Sequence, residues 1–395
     1  MRRLGWILLL LLLAAAPLQA EKKLSVQELR DLFDDLQQQK KTDTEVAFEL
    51  KQVVLTEQLT MAAMNALAQR AGGSQTVAQI YVLEARSAIL PPPREEVPSL
   101  PAPDAAQQSA ILKEAASYVA SVYDALPVLL ASQTTLRFQD NLEAIASSSG
   151  MQGGAKDASV GSLGPTPGNQ YVRYIHSVES HLEIRKGVPK SISAVQETKW
   201  GQNGMIALES PNPALNKVFS DARAEGSLHF ARWENINGKI TAVFTYSIEK
   251  KKALLPINIC CFPTVNQAGI ARFYTATMSS VSGLNGGGVK GDMQSNTEWK
   301  NFKRSVAYHG AIFITPDTGV VMRLVTQADF KSSDYVRQQN ERIDYAPIQL
   351  GSRSLVAPVQ SIVQSEVMPQ GDSGAGGHTL RHTYFISEYK NYSVQ

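Results

Sequence analysis

The sequence predicts an α+β protein in which a helical N-terminal region precedes one curved antiparallel sheet. Two observations lead to this fold class. Apolar residues recur with the period of a helix up to about residue 126, and from about residue 171 onward they alternate as they do in strands. Short polar turns separate the alternating runs, so we expect hairpins in an antiparallel meander of roughly ten strands. A sheet of that size has to curve, close or be covered by a helix.

The N-terminus, residues 1–20, is predicted to be a secretory signal peptide. Arg2 and Arg3 precede an apolar run, 7–13, and Ala20 precedes a charged segment. The apolar run is shorter than the roughly 20 residues that a membrane span needs. We therefore expect cleavage after Ala20, a periplasmic or secreted protein, and no transmembrane span after cleavage. The alternative is an uncleaved membrane anchor.

A helical domain is predicted for residues 21–90. Two capping boxes, Ser25–Glu28 and Thr42–Glu45, begin the first two helices. A third short helix follows Thr60, and Ser74 is expected to cap a fourth helix. Each helix is apolar on one side only, so the helices have to pack on one another or on the sheet.

Proline and glycine divide the rest of the chain. Residues 91–103 are a Pro-rich linker that cannot continue a helix, and residues 104–127 are predicted to form one long helix. The antiparallel β domain is expected to occupy residues 128–395. Within it, residues 147–168 are rich in Gly and Ser and are predicted to be a flexible loop.

Three turns set the expected hairpins. Asn237 and Gly238 stand between two alternating apolar runs, and this pair favours the type I′ turn, which needs positive φ at both positions. The segment 316–319 predicts a second turn, and Gly351 predicts a third. The final strand is expected at residues 379–389.

Charge and cysteine content exclude several classes of function. The formal net charge is only +2, which favours neither nucleic acid nor an acidic membrane surface as a partner. Cys260 and Cys261 are the two cysteines of the chain and are adjacent. Either both are reduced and packed among apolar neighbours, or they form a vicinal disulfide in an oxidising compartment. Their spacing does not indicate a metal site, so we expect neither a metal nor another cofactor.

Aromatic residues of the sheet region are candidates for a ligand cavity. They are Trp200, Trp233, Phe244 and Tyr246. The alternative is that they form the core, because aromatic side chains in strands usually do.

Catalytic signals are weak. The chain contains neither a G-x-S-x-G nor an H-E-x-x-H motif. His309 and Asp329 are the residues to test for a hydrolase, although a turn or strand-end role explains each of them more simply.

Three C-terminal motifs resemble those of a group of uncharacterised exported bacterial proteins. The first is H-G-x-I-x-I-x-P-x-T-G-x-x-x-R-L at 309–324, the second is I-D-Y-A-P-I at 343–348, and the third is G-x-x-x-x-x-x-P-V-x-S at 351–361. With the helical N-terminal half, the resemblance covers most of the chain.

The sheet region also resembles, more distantly, the outer-membrane lipoprotein carrier (LolA-like) superfamily. The residues that carry this resemblance are a short turn, 317–319, followed by Arg323, Leu324 and Asp329. It implies a half-barrel, an antiparallel sheet curled around helices, whose concave face holds an acyl chain. It also implies a periplasmic binding or chaperone role without enzymatic activity.

Three functions follow as hypotheses. The leading one is an exported, non-enzymatic protein that binds an apolar ligand, either a lipid or the acyl chain of a lipoprotein, in the curved sheet. The second is a cell-envelope scaffold whose N-terminal helices bind a protein partner. The third, less favoured, is a hydrolase with an unrecognised site.

Overall fold

The computed structural model describes residues 21–125, 127–140, 171–185, 188–194, 213–249, 255–259, 302–367 and 380–395. Contacts divide the chain into two compact units, the first ending at Pro93 and the second beginning at Arg94. This boundary falls within the segment predicted to be a linker. Several features predicted from the sequence lie outside the described residues: the signal peptide, the 147–168 loop, Trp200, Cys260 and Cys261.

The first unit is helical in its described part. Its elements are β1 (Lys22–Leu24), α1 (Val26–Gln38), α2 (Asp43–Lys51), β2 (Val53–Leu55), α3 (Met61–Arg70) and α4 (Ser74–Ser87). β1 and β2 pair in parallel. One apolar side of each helix lines a shared core, which includes Leu29, Phe33, Leu50, Leu67 and Leu83.

Both predicted capping boxes are present. The Ser25 hydroxyl accepts from the Glu28 N–H, and the Glu28 carboxylate accepts from the Ser25 N–H at 2.7 Å. Thr42 and Glu45 make the same exchange at the start of α2, with 2.8 Å between the Thr42 nitrogen and the Glu45 carboxylate. Each capping box provides acceptors for two backbone N–H groups at the start of a helix, where no preceding turn supplies a carbonyl.

The prediction that Ser74 caps α4 is wrong, because the helix already begins at Ser74 and Gly73 is its N-cap. Asp43 supplies the missing acceptor from the start of another helix. Its carboxylate accepts from the N–H groups of Gln75 and Thr76 at 3.1 and 2.9 Å. A Cβ at Gly73 would overlap this carboxylate, so the glycine leaves room for the cap.

The second unit contains a ten-stranded sheet. Its strands are β3 (Leu129–Gln139), β4 (Arg173–Arg185), β5 (Val188–Ala194), β6 (His229–Ile236), β7 (Lys239–Ile248), β10 (Tyr308–Ile314), β11 (Val321–Ala328), β12 (Val336–Leu350), β13 (Arg353–Val367) and β14 (Arg381–Val394). A separate two-stranded sheet contains β8 (Leu255–Ile259) and β9 (Phe302–Val306). The helical elements are a 3₁₀ turn (Arg94–Glu96), α5 (Ala105–Ala125) and α6 (Leu215–Ala224).

The large sheet is antiparallel throughout and open, with the order β5-β4-β3-β14-β13-β12-β11-β10-β7-β6. The mixed α+β class and the antiparallel sheet are thus confirmed. The predicted turns are confirmed too: φ is 51° at Asn237, 81° at Gly238, 66° at Gly319 and 60° at Gly351.

The prediction of a simple meander is wrong in two places. β14, the last strand, pairs with β3, and β10 pairs on one side with β7 rather than with the preceding strand, β9. Strand pairing is also interrupted at Ala307, which separates β9 from β10 and places them in different sheets.

Alternation along the strands gives the sheet two sides. We call the side that carries Phe244, Ile312 and Leu324 the helix face, because these residues belong to one apolar cluster with residues of α5 and α6. We call the opposite side, which carries Arg323 and Asp344, the charged face. No helix in the described residues is both long and apolar enough to span a bilayer.

Candidate functional site on the ten-stranded sheet

Three of the four aromatic residues predicted to line a cavity lie together on the helix face. Phe244 and Tyr246 are buried on β7, and Trp233 is half-buried on the edge strand β6. Phe230 connects them through edge-to-face contacts, with ring centroids 5.3 Å from Trp233 and 5.9 Å from Phe244. The indole N–H of Trp233 donates to the Pro101 carbonyl at 2.8 Å. The fourth residue, Trp200, lies outside the described part.

Helices α5 and α6 fill the space against these strands. The cluster combines residues of both helices with residues of the sheet: Ile111, Ala115, Val119, Leu215, Val218, Phe219, Phe244, Ile312 and Leu324. The side chains of the protein itself therefore occupy this end of the helix face. A ligand bound here has to take the place of a helix side chain or enter at the half-buried rim beside Trp233.

Helix α5 lies very close to the turn between β10 and β11. Gly319 has a φ of 66°, and a Cβ there would overlap the backbone of Glu114 and Ala115. Position 319 therefore requires glycine for two reasons, the left-handed backbone and the close approach of α5. Ala115, fully buried, keeps this side of α5 small.

The hydroxyl group of Tyr246 is buried beneath the same helices. It donates to the Val325 carbonyl at 3.0 Å and lies 3.1 Å from the Thr326 hydroxyl oxygen. It reaches them by passing over Gly310, where a Cβ would overlap the Val325 carbonyl. Burial raises the pKa of Tyr246 well above its usual value, so the hydroxyl stays protonated. Sequence reasoning missed this role of Gly310, although the glycine belongs to the first C-terminal motif.

The helix face changes from apolar to polar across the sheet. One row of paired residues begins with Phe244, Ile312, Leu324 and Ile343 and continues as Ser361, Ser387 and Thr135. A parallel row reads Gln339, Ser365, Thr383 and Gln139. We call the six residues Ser361, Ser387, Thr135, Ser365, Thr383 and Gln139 the polar rows; they belong to β13, β14 and β3.

The charged face contains a buried network of ion pairs. Asp344 lies between two arginines, 2.5 Å from Arg323 Nε and 3.0 Å from Arg342 Nε. Arg323 also lies 3.5 Å from Glu234, and Arg342 donates to Gln360 at 2.9 Å. All five side chains are buried. The network joins β6, β11, β12 and β13.

Electrostatics favours the charged form of both partners in the central pair. Burial alone would raise the pKa of Asp344, but the guanidinium groups of Arg323 and Arg342 lower it below its usual range. Burial likewise opposes the charge on Arg323, and Asp344 and Glu234 outweigh it and raise its pKa. Charges compensated in this way stabilise a structure and do not provide a free acid or base. Arg323 comes from the first motif and Asp344 from the second, so the pair links two segments that carry the sequence resemblance.

His309 and Asp329, the hydrolase candidates, are brought together by the fold. Nδ1 of His309 lies 2.8 Å from the Asp329 carboxylate, and both side chains are exposed. Ser247 is paired with His309 on the adjacent strand. No hydrogen bond joins the Ser247 hydroxyl to the His309 ring in the described structure, so the contact that activates a serine nucleophile is missing.

A second histidine pair was not singled out from the sequence. Nδ1 of His382 lies 2.6 Å from the buried Asp140 carboxylate, which also accepts from the His382 N–H at 2.7 Å. Glu366 approaches the other ring nitrogen at 3.7 Å. Asp140 is 242 positions away from His382 in sequence, and no local pattern signals such a contact. Among the described residues, no three His, Cys, Asp or Glu side chains are placed to hold a metal ion.

Comparison with known proteins gives no relative. The chain matches no protein-family model, no curated protein sequence and no solved structure. The resemblance to the lipoprotein carriers therefore remains an expectation that rests on motif residues such as Arg323 and Asp329. The helix face and the charged face of the sheet are the features of the structure that bear on function.

Proposed function

We propose that this protein is an exported, non-enzymatic binding protein of the bacterial cell envelope, whose ligand is the apolar chain of a lipid or lipoprotein. The chain would lie between the helix face of the sheet and helices α5 and α6. One observation carries the proposal: an open antiparallel sheet has a large apolar area on one face, and two helices pack on that area. This arrangement agrees with the half-barrel around helices that the LolA-like resemblance implies.

Burial of the ligand supplies the binding energy. An alkyl chain that replaces helix side chains against Phe244, Ile312 and Leu324 keeps those residues out of water and buries its own methylene groups. Each methylene contributes about 0.8 kcal/mol on burial, so a chain of ten gains roughly 8 kcal/mol before the costs of ordering the chain and moving the helix. The half-buried aromatic rings of Phe230 and Trp233 at the edge strand β6 give the chain an entry point.

Direct binding tests the proposal. Purified protein is titrated with a fluorescent fatty acid, and lipids are extracted from freshly isolated protein for mass spectrometry. We expect saturable binding at micromolar concentration or below, and a co-purified lipid. Absence of both results would contradict the proposed function.

Tryptophan fluorescence locates the bound chain. A chain that enters beside Trp233 dries the indole ring and shifts its emission to the blue. We expect the shift to disappear in Trp233→Phe. Trp299→Phe tests another tryptophan of the chain, which lies outside the described residues. Trp200→Phe tests the predicted cavity residue that lies outside the described structure. If Trp233→Phe retains the full shift, the ligand binds elsewhere.

Export has its own test. We propose that residues 1–20 are removed, so N-terminal sequencing of protein recovered from the periplasm should begin at Glu21. Recovery only in the cytoplasm with Met1 in place would contradict an envelope location.

A scaffold is the second candidate function. It is favoured by the separate compact unit that ends at Pro93 and by Phe48, a large apolar residue of α2 with 44% of its surface exposed. In cross-linking to envelope proteins, Phe48→Ser should lose the partner. Leu100→Ser, the matched control, changes a residue 47% exposed in the second unit and should keep it. Identical cross-links in both variants and the wild type would count against a partner site at Phe48.

A further inference from the structure

The polar rows are an unusual interior for the helix face. One of them, Ser361, Ser387 and Thr135, continues the row of paired residues that holds Phe244 and Ile312 at its other end, and the second runs parallel to it from Gln339. All six side chains are uncharged. Four of them, Ser361, Ser365, Thr383 and Gln139, are at most 2% exposed. The face is therefore apolar at β7, β10 and β11, whereas at β13 and β14 the polar rows lie on either side of the apolar residues Val363 and Phe385.

Hydrogen bonds within the sheet account for most of these groups. The Thr135 and Ser387 hydroxyls are 2.8 Å apart, and Thr383 donates to Gln139 at 3.2 Å. The Ser361 hydroxyl lies 2.9 Å from the hydroxyl of Tyr389. A purely structural role, in which small polar residues tie neighbouring strands together, explains these contacts.

Ser365 is different. Its hydroxyl oxygen is buried and has no hydrogen-bond partner in the described structure. Burying an unpaired hydroxyl is unfavourable, and the register places this one on the helix face, between Gln339 and Thr383. An unsatisfied hydroxyl among hydrogen-bonding neighbours indicates a position for a ligand group.

We infer that the ligand is amphipathic, with an alkyl chain at the apolar end of the helix face and an uncharged head group that bears hydroxyls or amides at the polar rows. The Ser365 hydroxyl binds the head group directly. This inference rests on the proposed function and specifies its ligand class.

Charged residues of both signs lie on the helix face beside the polar rows. Between the two polar rows lies one row that contains Glu341, Val363, Phe385 and Arg137. Its two charged residues have opposite sign, and the Arg137 guanidinium is engaged with the Phe385 ring at 5.3 Å and with His176 at 3.3 Å. Arg381, paired with Val367 in the row beyond Ser365, adds a second buried positive charge to this face, so decanoate is the probe that tests whether the head group is uncharged.

Three probes with the same ten-carbon chain test the inference: decyl glucoside, decanoate and decyltrimethylammonium. Their affinities for the purified full chain are measured by calorimetry below the micelle concentration. We expect decyl glucoside to bind at least about ten-fold more tightly, as two or three added hydrogen bonds would give.

Variants assign this preference to residues. Ser365→Ala should weaken decyl glucoside binding by about three- to ten-fold, the value of one hydrogen bond, and leave the affinities of the other two probes unchanged. Its thermal midpoint should stay equal or rise, because an unpaired hydroxyl is removed. Thr383→Val should act in the same direction. Ser354→Ala, at an exposed position of the same strand, is the control and should change nothing.

Each other result decides against the inference. Equal affinity for the three probes, or a Ser365→Ala effect that is absent or equal for all of them, overturns the head-group assignment and leaves apolar binding in place. If none of the probes and no fatty acid binds, the proposed function fails and the inference fails with it.

Discussion

Strands β11 and β12 are buried on both faces, and the two faces are stabilised in different ways. Leu324 and Ile343 pair on the helix face within an apolar cluster, while the adjacent residues Arg323 and Asp344 pair on the charged face as ions. Apolar burial does not depend on direction, so one apolar group can replace another. An ion pair in the interior depends on a specific partner and a specific geometry.

This difference distinguishes the helix face, where we propose that a ligand binds, from the charged face, which determines the register of the strands. A shift of one residue between β11 and β12 would separate Arg323 from Asp344 and move the charge of the shifted strand to the apolar side, so the charged face sets the register. In the apolar part of the helix face, around Phe244, Ile312 and Leu324, the contacts require no particular partner, so this is where we propose that an alkyl chain binds. The predictions below separate the two faces by changing residues that are neighbours in sequence.

The largest effect is expected at Arg323. Arg323→Met leaves the Asp344 and Glu234 carboxylates without their shared guanidinium in a buried position, which should cost about 3–5 kcal/mol of unfolding free energy. Chemical denaturation with urea measures the loss.

The double variant Arg323→Met/Asp344→Leu is the matched control. It removes both charges of the central pair but also takes the carboxylate partner from Arg342, so it should recover only part of the stability lost in the single variant. A double variant as unstable as the sum of its two single variants would mean that the pair is not coupled.

Leu324→Ala makes the corresponding change on the helix face. The cavity it leaves should cost about 2–5 kcal/mol. A saturating fatty acid should restore part of this stability, because an alkyl chain can fill an apolar cavity, and should restore none in Arg323→Met. Equal recovery in both variants would remove the distinction between the two faces.

Gly319→Ala tests how tightly α5 is held on the helix face. The substitution strains a backbone with positive φ and also overlaps the backbone of α5, so we expect a loss of about 3 kcal/mol. Gly351→Ala is the matched control, because it has the same left-handed backbone and open space around the Cβ, and it should cost only about 1 kcal/mol. Thermal unfolding gives both values. Similar losses would show that the contact with α5 contributes nothing.

Acid should weaken the charged face selectively. Because the pKa of Asp344 is lowered in the folded protein, its contribution is fully present above the unfolded pKa, about 3.9, and is lost as the pH falls through the folded value. The stability difference between wild type and Asp344→Asn should therefore be constant from pH 7 to about 5 and shrink below pH 4. Urea unfolding at each pH measures it. A difference that is constant down to pH 2 would contradict the lowered pKa.

Local signals in the sequence predicted the local structure well. The capping boxes at Ser25 and Thr42 and the turns at Asn237 and Gly351 depend on residues within a few positions of one another, and all four are present. The cap of α4 was missed because its acceptor, Asp43, comes from another helix.

Non-local contacts could not be predicted from the sequence, because each partner comes from a distant part of the chain. The pairing of β14 with β3 joins residues more than 240 positions apart, and no pattern in either strand specifies the other. Arg323 was recognised as a motif residue, but its burial was not, since charged residues in a strand usually indicate a solvent-exposed face. The aromatic residues Phe244 and Tyr246 were assigned to one cavity without knowledge of the helices that cover them. Only the strand register of the structure shows that polar residues continue the row of Phe244 across the sheet.

The smallest effect is expected at His309, whose pair with Asp329 lies on an exposed part of the sheet. An exposed pair of this kind contributes about 0–1 kcal/mol, so His309→Ala should leave stability and ligand binding almost unchanged. A screen with short-chain p-nitrophenyl esters and a fluorophosphonate probe should detect no activity that depends on His309, Asp329 or Ser247. Esterase activity that disappears in both His309→Ala and Ser247→Ala would establish a hydrolase and displace the proposed binding function. Activity unaffected by either variant would come from a contaminant or from another site, because the histidine would then have no part in the reaction.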